Sequence, residues 1–321
     1  MDILCTGSIA YDYIMSFPGY FKDHILPDRL DTISLSFLVD TLIRQRGGTA
    51  TNIAYNLALL GGHPRVMGTV GEDFSDYRAH LESKGVDTAN VHTVPGLFTA
   101  SFFVNTDRAG SQIASFYTGA MAHAGELSLR DLTGGKPDLV VVSANDPAAM
   151  RRMTAECKQL GIPYLYDPSQ QVVRVDPEDI RQGIDGAWAL FVNEYEYELV
   201  QKHTGLTGSD ILDRVEILVV TCGEQGARIL QKGGEITIPA ALPCQIADPT
   251  GVGDAFRAGF LTGYGLHLPL AVCGKMGALA ATYCIEFSGT QSHSYSVAEF
   301  IQRYEQVFGE AEGLQAMLKS A

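Results

Sequence analysis

The stretch Ala247-Asp248-Pro249-Thr250-Gly251-Val252-Gly253-Asp254-Ala255-Phe256-Arg257-Ala258-Gly259 carries the strongest signal in the chain. Two glycines precede an aspartate, and a helical pattern runs on from Asp254 to Tyr264. The turn would present the backbone N–H groups of Gly251, Val252 and Gly253 at a helix N-terminus. Unpaired N–H groups and the helix dipole both favour an anion there. Asp254 then has two readings, an N-cap or a general base beside a bound phosphate. The turn lacks the G-x-x-x-x-G-K-[ST] spacing of a P-loop and the G-x-G-x-x-G spacing of a dinucleotide site.

Outward from this turn, the second half of the chain alternates short apolar runs with helical patterns. Leu139 to Val142, Tyr164 to Tyr166, Trp188 to Val192 and Ile217 to Val220 read as buried strands. Asp146 with Pro147 caps one helix, and Asn193 opens another. Leu270 to Ile285 and Val297 to Phe308 close the chain as helices. Strands alternating with helices indicate a mostly parallel sheet covered on both faces. In the first half, Ile3 to Cys5 and Arg65 to Val70 are strands, and helices follow Gly47-Gly48-Thr49 and Phe74. Phe98 to Val104 and Gln112 to Tyr117 flank Asp107-Arg108-Ala109-Gly110 as a hairpin. Ile33, Leu35, Phe37 and Val39 alternate as a further strand. These segments imply a small β insertion, over roughly 13–46 and 97–118, on one α/β domain spanning 1–321.

The chain has 321 residues, with 23 basic and 37 acidic side chains and a net charge of −14. That length holds a sizeable core. An acidic chain of this kind lacks the basic face that duplex DNA or an anionic membrane requires. Cys5, Cys157, Cys222, Cys244, Cys273 and Cys284 form no C-x-x-C pair and several sit in apolar runs, so reduced thiols and a cytoplasmic location are expected. The opening residues show no signal-peptide pattern, and no apolar run reaches membrane-spanning length. The 34 glycines exceed the usual share of about 7% and cluster in a few turns.

Those turns carry a resemblance. Asp248-Pro249-Thr250-Gly251-Val252-Gly253-Asp254 resembles the C-terminal signature of the ribokinase-like (PfkB-type) carbohydrate and nucleoside kinases, with Val252 where alanine is usual. Gly47-Gly48-Thr49-Ala50-Thr51-Asn52 resembles that family's N-terminal glycine signature, Asn193-Glu194-Tyr195-Glu196 its N-x-x-E motif, and Thr221-Cys222-Gly223 with Gly226 its nucleotide-phosphate loop. The four occur in the family's order over nearly the whole chain. The resemblance implies a three-layer α/β/α core with a mostly parallel central sheet and a small β-sheet lid, and a kinase using ATP with Mg²⁺.

The same resemblance assigns roles. Asp254 would take the proton of the acceptor hydroxyl, with amides from Gly251 through Val252 and Gly253 to Asp254 holding the phosphoryl group. Asn193, Thr221, Gly223, Gly226 and Arg257 would line ATP, with Arg257 otherwise a solvated helical side chain. Glu196 would organise Mg²⁺ through water, with Asn193 otherwise a plain helix cap. Asp12, Gly47, Gly48 and Asn52 would bind the sugar hydroxyls. Asp248 and Thr250, with carbonyls near Gly289, match a monovalent-cation site of some members and suggest K⁺.

Ser101-Phe102-Phe103-Val104, Gln112-Ile113, Phe116-Tyr117-Thr118-Gly119-Ala120-Met121 and Asp167-Pro168-Ser169-Gln170 resemble the prokaryotic adenosine kinase and broad nucleoside kinase branch. On that resemblance Phe103, Phe116 and Met121 would offer apolar surface to a purine and Gln170 an amide. Adenosine is the expected acceptor, with ribose or fructose as the alternative and a non-catalytic nucleoside sensor as a third reading. The lid suggests a homodimer contact.

Overall fold

Strands buried on both faces must be apolar throughout, and central strands of the main sheet such as Leu139–Val142 and Tyr164–Tyr166 meet that demand. The computed structural model describes residues 1–26, 31–32, 34–310 and 313–319. In chain order the elements are β1 (Ile3–Thr6), β2 (Ala10–Ser16), β3 (Thr41–Gly47), α1 (Thr49–Leu59), β4 (Arg65–Val70), α2 (Ser75–Ser83), β5 (Asp87–Thr93), β6 (Ala100–Thr106) and β7 (Gln112–Tyr117). Then follow β8 (Leu139–Val142), α3 (Pro147–Leu160), β9 (Tyr164–Tyr166), α4 (Pro177–Ile184), β10 (Ala189–Asn193), α5 (Glu194–Thr204), α6 (Gly208–Leu212) and β11 (Ile217–Thr221). The chain continues with β12 (Ala227–Gln231), β13 (Gly234–Ile238), α7 (Val252–Gly265), α8 (Leu270–Ile285) and α9 (Val297–Phe308).

Nine strands form one sheet in the order β13-β12-β11-β10-β9-β8-β1-β4-β5, parallel except for the β11-β12-β13 edge. Alternate side chains divide into two cores. Cys5, Val141, Leu165, Phe191 and Val219 pack with Ile53 of α1 and Phe256 and Phe260 of α7. Leu4, Val140, Tyr166, Leu190 and Val220 pack with Met150 of α3, Ile180 of α4 and Val200 of α5. This is the three-layer arrangement expected from period-two burial on both faces. β1 lies between β4 and β8, so the chain winds to both sides of it; in open α/β sheets such a switch point is where ligands bind, beyond the carboxyl ends of the strands.

A second sheet of four strands runs β3-β2-β6-β7. β2 and β6 are parallel, and the two outer pairs are antiparallel. Its strands fall within or beside the two segments expected to form the insertion, but the expected strand of Ile33, Leu35, Phe37 and Val39 is not among them. Ile33 lies outside the described residues, and 34–39 is irregular. The ring of Phe37 instead packs against Phe17 and Phe21, at 4.9 Å from each, so an aromatic anchor produced the apparent alternation. The strand is Thr41–Gly47, whose exposed Leu42, Ile43 and Arg44 give no periodic signal.

Asp146 caps α3 through the N–H groups of Ala148 and Ala149, with Pro147 in the first turn, as expected. Among the described residues no helix is long and apolar enough to cross a membrane.

Candidate active site

α7 begins where the sequence demands it. Gly251 is its N-cap at φ +77°, and a Cβ there would stand 2.9 Å from Thr290. Only glycine takes that backbone without strain. The first helical hydrogen bond runs from Ala255 N to Gly251 O. The N–H groups of Val252, Gly253 and Asp254 precede it and are left for an anion. Asp254 is therefore three residues past the cap, and the N-cap reading of it fails.

The carboxylate of Asp254 turns into the protein, 8% exposed, and its Oδ2 accepts a hydrogen bond from Asn52 Nδ2 at 2.9 Å. Burial pushes Asp254 up to about 7. Arg257 and the Asn52 hydrogen bond oppose that rise, and the carboxylates of Asp167 and Glu196 add to it.

Asn52, also buried, is fixed from behind. Its Oδ1 lies 2.8 Å from Thr290 Oγ1 and accepts from Gln291 Nε2 at 3.0 Å. Gln291 also donates to the hydroxyl of Tyr77, which donates to Gly47 O at 3.0 Å. The expected diol ligand therefore has one amide hydrogen committed to Asp254 and its oxygen committed to the 290–291 loop.

Asp12 stands on β2 opposite Gln45 of β3. A Cβ on Gly47 would come within 2.7 Å of its Oδ2, so the missing side chain makes room for the carboxylate. Burial, with Asp248 second, raises Asp12 to about 6. Gly48 is the N-cap of α1 at φ +100°. Register puts Asp12 beside Phe102, and Phe102 opposite Phe116. These side chains share one face, with Ala10 and Ala100, which pack on Met121.

Phe103 does not belong to that face. Neighbours along a strand point to opposite sides, and Phe103 stacks instead on Tyr13 at 4.8 Å and 11°. Phe102 takes the place expected for Phe103. Two adjacent phenylalanines gave no phase, and only the pairing of β2 with β6 supplies it. Gln170 is exposed in the turn after β9.

Asn193 and Thr221 are paired neighbours at the ends of β10 and β11. Asn193 forms a capping box with Glu196: Oδ1 accepts from Glu196 N at 2.8 Å, and Glu196 Oε2 accepts from Asn193 N at 2.9 Å. Glu196 is buried and its charge is disfavoured, first by burial and then by Asp167. Gly223 has open space around its α-carbon, whereas a Cβ on Gly226 would stand 2.0 Å from Ile238 O. Gly226 is thus required by the approach of β13.

Asp248 Oδ1 accepts from Thr250 N at 2.9 Å and Oδ2 from Gly289 N at 3.0 Å, tying the α7 turn to the 289–291 loop. Arg257 is not a solvated side chain: it is buried, with Nη2 donating to Asp167 Oδ1 at 2.6 Å. Burial works against its charge, but Asp167, Asp254 and Glu196 hold it above its ordinary value. Thr290, Gln291 and Tyr77 had no motif to announce them, and Asp167 stood in a quoted stretch without a role of its own.

The pfkB carbohydrate kinase pattern matches residues 8–296. The chain belongs to the pfkB family of carbohydrate kinases. Within that family it is 27% identical over 305 residues to a nucleoside kinase of Methanocaldococcus jannaschii, covering 94% of this chain and 96% of the relative. The solved structure of the M. jannaschii nucleoside kinase, an archaeal member of the ribokinase family, superposes with a TM-score of 0.86 over 95% of this chain and 98% of that one. The fold is therefore ribokinase-like. The Burkholderia thailandensis nucleoside kinase in complex with ADP-inosine is 39% identical, with a TM-score of 0.80 and 96% of each chain covered.

Proposed function

We propose that this pfkB-family chain is an ATP-dependent kinase that transfers the γ-phosphoryl group to the 5′-hydroxyl of a nucleoside, with adenosine the first candidate. One observation carries the reading: a buried carboxylate, Asp254, held by Asn52 immediately beside three helix N-terminal amides that have no hydrogen-bond partner among the described residues. Phosphoryl transfer asks mainly for positioning and for stabilisation of charge on the moving group. The amides of Val252, Gly253 and Asp254 hold the phosphoryl oxygens. Asp254, brought near neutrality by burial, accepts the proton of the acceptor hydroxyl as that oxygen attacks phosphorus and the bond to ADP breaks. Named nucleoside kinases among the relatives, one with ADP and inosine bound, support this choice over a free sugar.

Asp12, with Gly47 and Gly48, receives the ribose hydroxyls, and the four-stranded sheet acts as a lid that excludes water. Asn193, Thr221 and Gly223 border ATP. Glu196 fits a Mg²⁺ ion held through water: its charge is disfavoured without a counter-ion, and Oε1 makes no hydrogen bond among the described residues. Such an ion neutralises phosphate charge.

An ADP-release assay with Mg·ATP over nucleosides and free sugars, with and without K⁺, tests the reading. Nucleosides are expected to exceed ribose and fructose by about 100-fold in kcat/KM, the order one stacked base supplies. The reverse order makes the chain a sugar kinase, and no turnover with any acceptor makes it a binding protein.

The shared face of Asp12, Phe102 and Phe116 gives a second check. Phe116→Ala is expected to raise the nucleoside KM about tenfold through lost base stacking, while Phe103→Ala, on the other face, leaves it within about twofold. Equal effects of the two would remove Phe116 from base recognition.

A further inference from the structure

Asp167 follows β9, is completely buried, and belongs to none of the roles above. Its Oδ1 accepts from Arg257 Nη2 at 2.6 Å and from Ser169 Oγ at 2.7 Å, and its Oδ2 lies 2.5 Å from Arg257 Nε. One edge of the guanidinium is thus clamped. The remaining nitrogen, Nη1, has no hydrogen-bond partner among the described residues. It lies under the anion-binding turn, where a Cβ on Gly253 would come within 2.7 Å of it.

Ser169, which supports the clamp, takes φ +43°, one of two non-glycine residues in that region among those described. Strain of this kind persists where surrounding structure holds it, often at a working site. A buried ion pair is weak evidence for stability, since an apolar pair of similar volume commonly serves as well. A guanidinium with one edge held and one nitrogen free is instead suited to a planar oxyanion, and lysine cannot do both.

We propose that Arg257 Nη1 contacts the transferred phosphoryl group and that Asp167, steadied by Ser169, is the positioning residue that aims it. This rests on the reading of the α7 N-terminus as the phosphoryl site. It places one fixed positive charge beneath that site in an otherwise acidic protein. The charge acts most on the phosphoryl oxygens.

The test compares the full-length chain with Arg257→Ala, Arg257→Lys and Asp167→Ala, after thermal melting shows that each folds. Two readouts are taken: binding of the non-hydrolysable analogue AMP-PNP against ADP, both with Mg²⁺, and kcat against nucleoside KM. In each variant AMP-PNP binding is expected to weaken about tenfold relative to ADP. kcat should fall about 100-fold, the size of a lost oxyanion donor, with nucleoside KM within about twofold.

Equal losses for AMP-PNP and ADP, or kcat and the binding ratio unchanged, would make the pair a purely structural tie and overturn the proposal. If the alanine variants do not fold, Arg257→Lys decides on the same criteria. A parent chain that turns over no nucleoside yet loses its AMP-PNP preference in these variants would defeat the nucleoside reading alone.

Discussion

Asp254→Asn is expected to lower kcat about 1,000-fold while nucleoside KM stays within about twofold, the usual worth of a well-placed general base. The substitution is nearly isosteric, and the Asn52 amide retains an oxygen to bond at this buried position. The three amides of the α7 turn are untouched, so phosphate binding survives and only proton acceptance is lost. Steady-state kinetics with Mg·ATP and the preferred nucleoside measures this. A kcat within tenfold of the parent would remove Asp254 from the base role.

The pH dependence follows from the same carboxylate with two opposite signs. As a base, Asp254 works only when ionised, so kcat/KM is expected to rise with pH through about 7 and level above it. For stability the sign reverses. The folded group holds its proton up to about 7, whereas the unfolded chain releases it near 3.8. Between those values the native state binds more protons, so this contribution is full below 3.8 and is lost as pH rises through 7.

Asp254→Asn should then be more stable than the parent at pH 8, by on the order of a few kcal/mol, with the gap closing in acid. Thermal melting at both pH values checks this and separates loss of the base from misfolding. Burial sets the value first; Arg257 and the Asn52 amide lower it, and Asp167 and Glu196 raise it.

Local rules made much of this molecule legible. Gly251 announces its turn because few other residues take φ +77°, and Asp146-Pro147 and Asn193-Glu196 announce helix starts because caps are built from adjacent residues. The apolar strands were readable because burial on both faces leaves no polar alternation. What stayed hidden depends on contacts distant in sequence. Phe102 and Phe103 exchange roles only once β2 is paired with β6. Arg257 reads as solvated until Asp167, 90 residues earlier, is found against it. Asn52 reads as a sugar ligand until α7, 202 residues later, presents Asp254 to its amide.

That last contact yields the second large effect. Asn52→Asp would set a carboxylate 2.9 Å from Asp254 Oδ2 in a buried site. Two carboxylates at that separation cannot both ionise and must share one proton. Thr290 and Gln291 still donate to the residue at 52, so the new acid is held in place. The proton is therefore retained on the pair near neutrality. We expect kcat to fall about 100-fold at pH 7, with the acid limb of kcat/KM displaced to higher pH and partial recovery in alkaline buffer.

Asn52→Ala gives the contrast. It adds no charge but leaves Asp254 without its donor, at a cost of about 1–3 kcal/mol in stability. Its kinetic loss should fall on kcat, because the amide orients the base. If the sugar hydroxyls were the main partner of Asn52, the loss would appear in nucleoside KM. A pH profile of Asn52→Asp superposing on the parent's would show that the two side chains are uncoupled, and that the base is held by something other than α1.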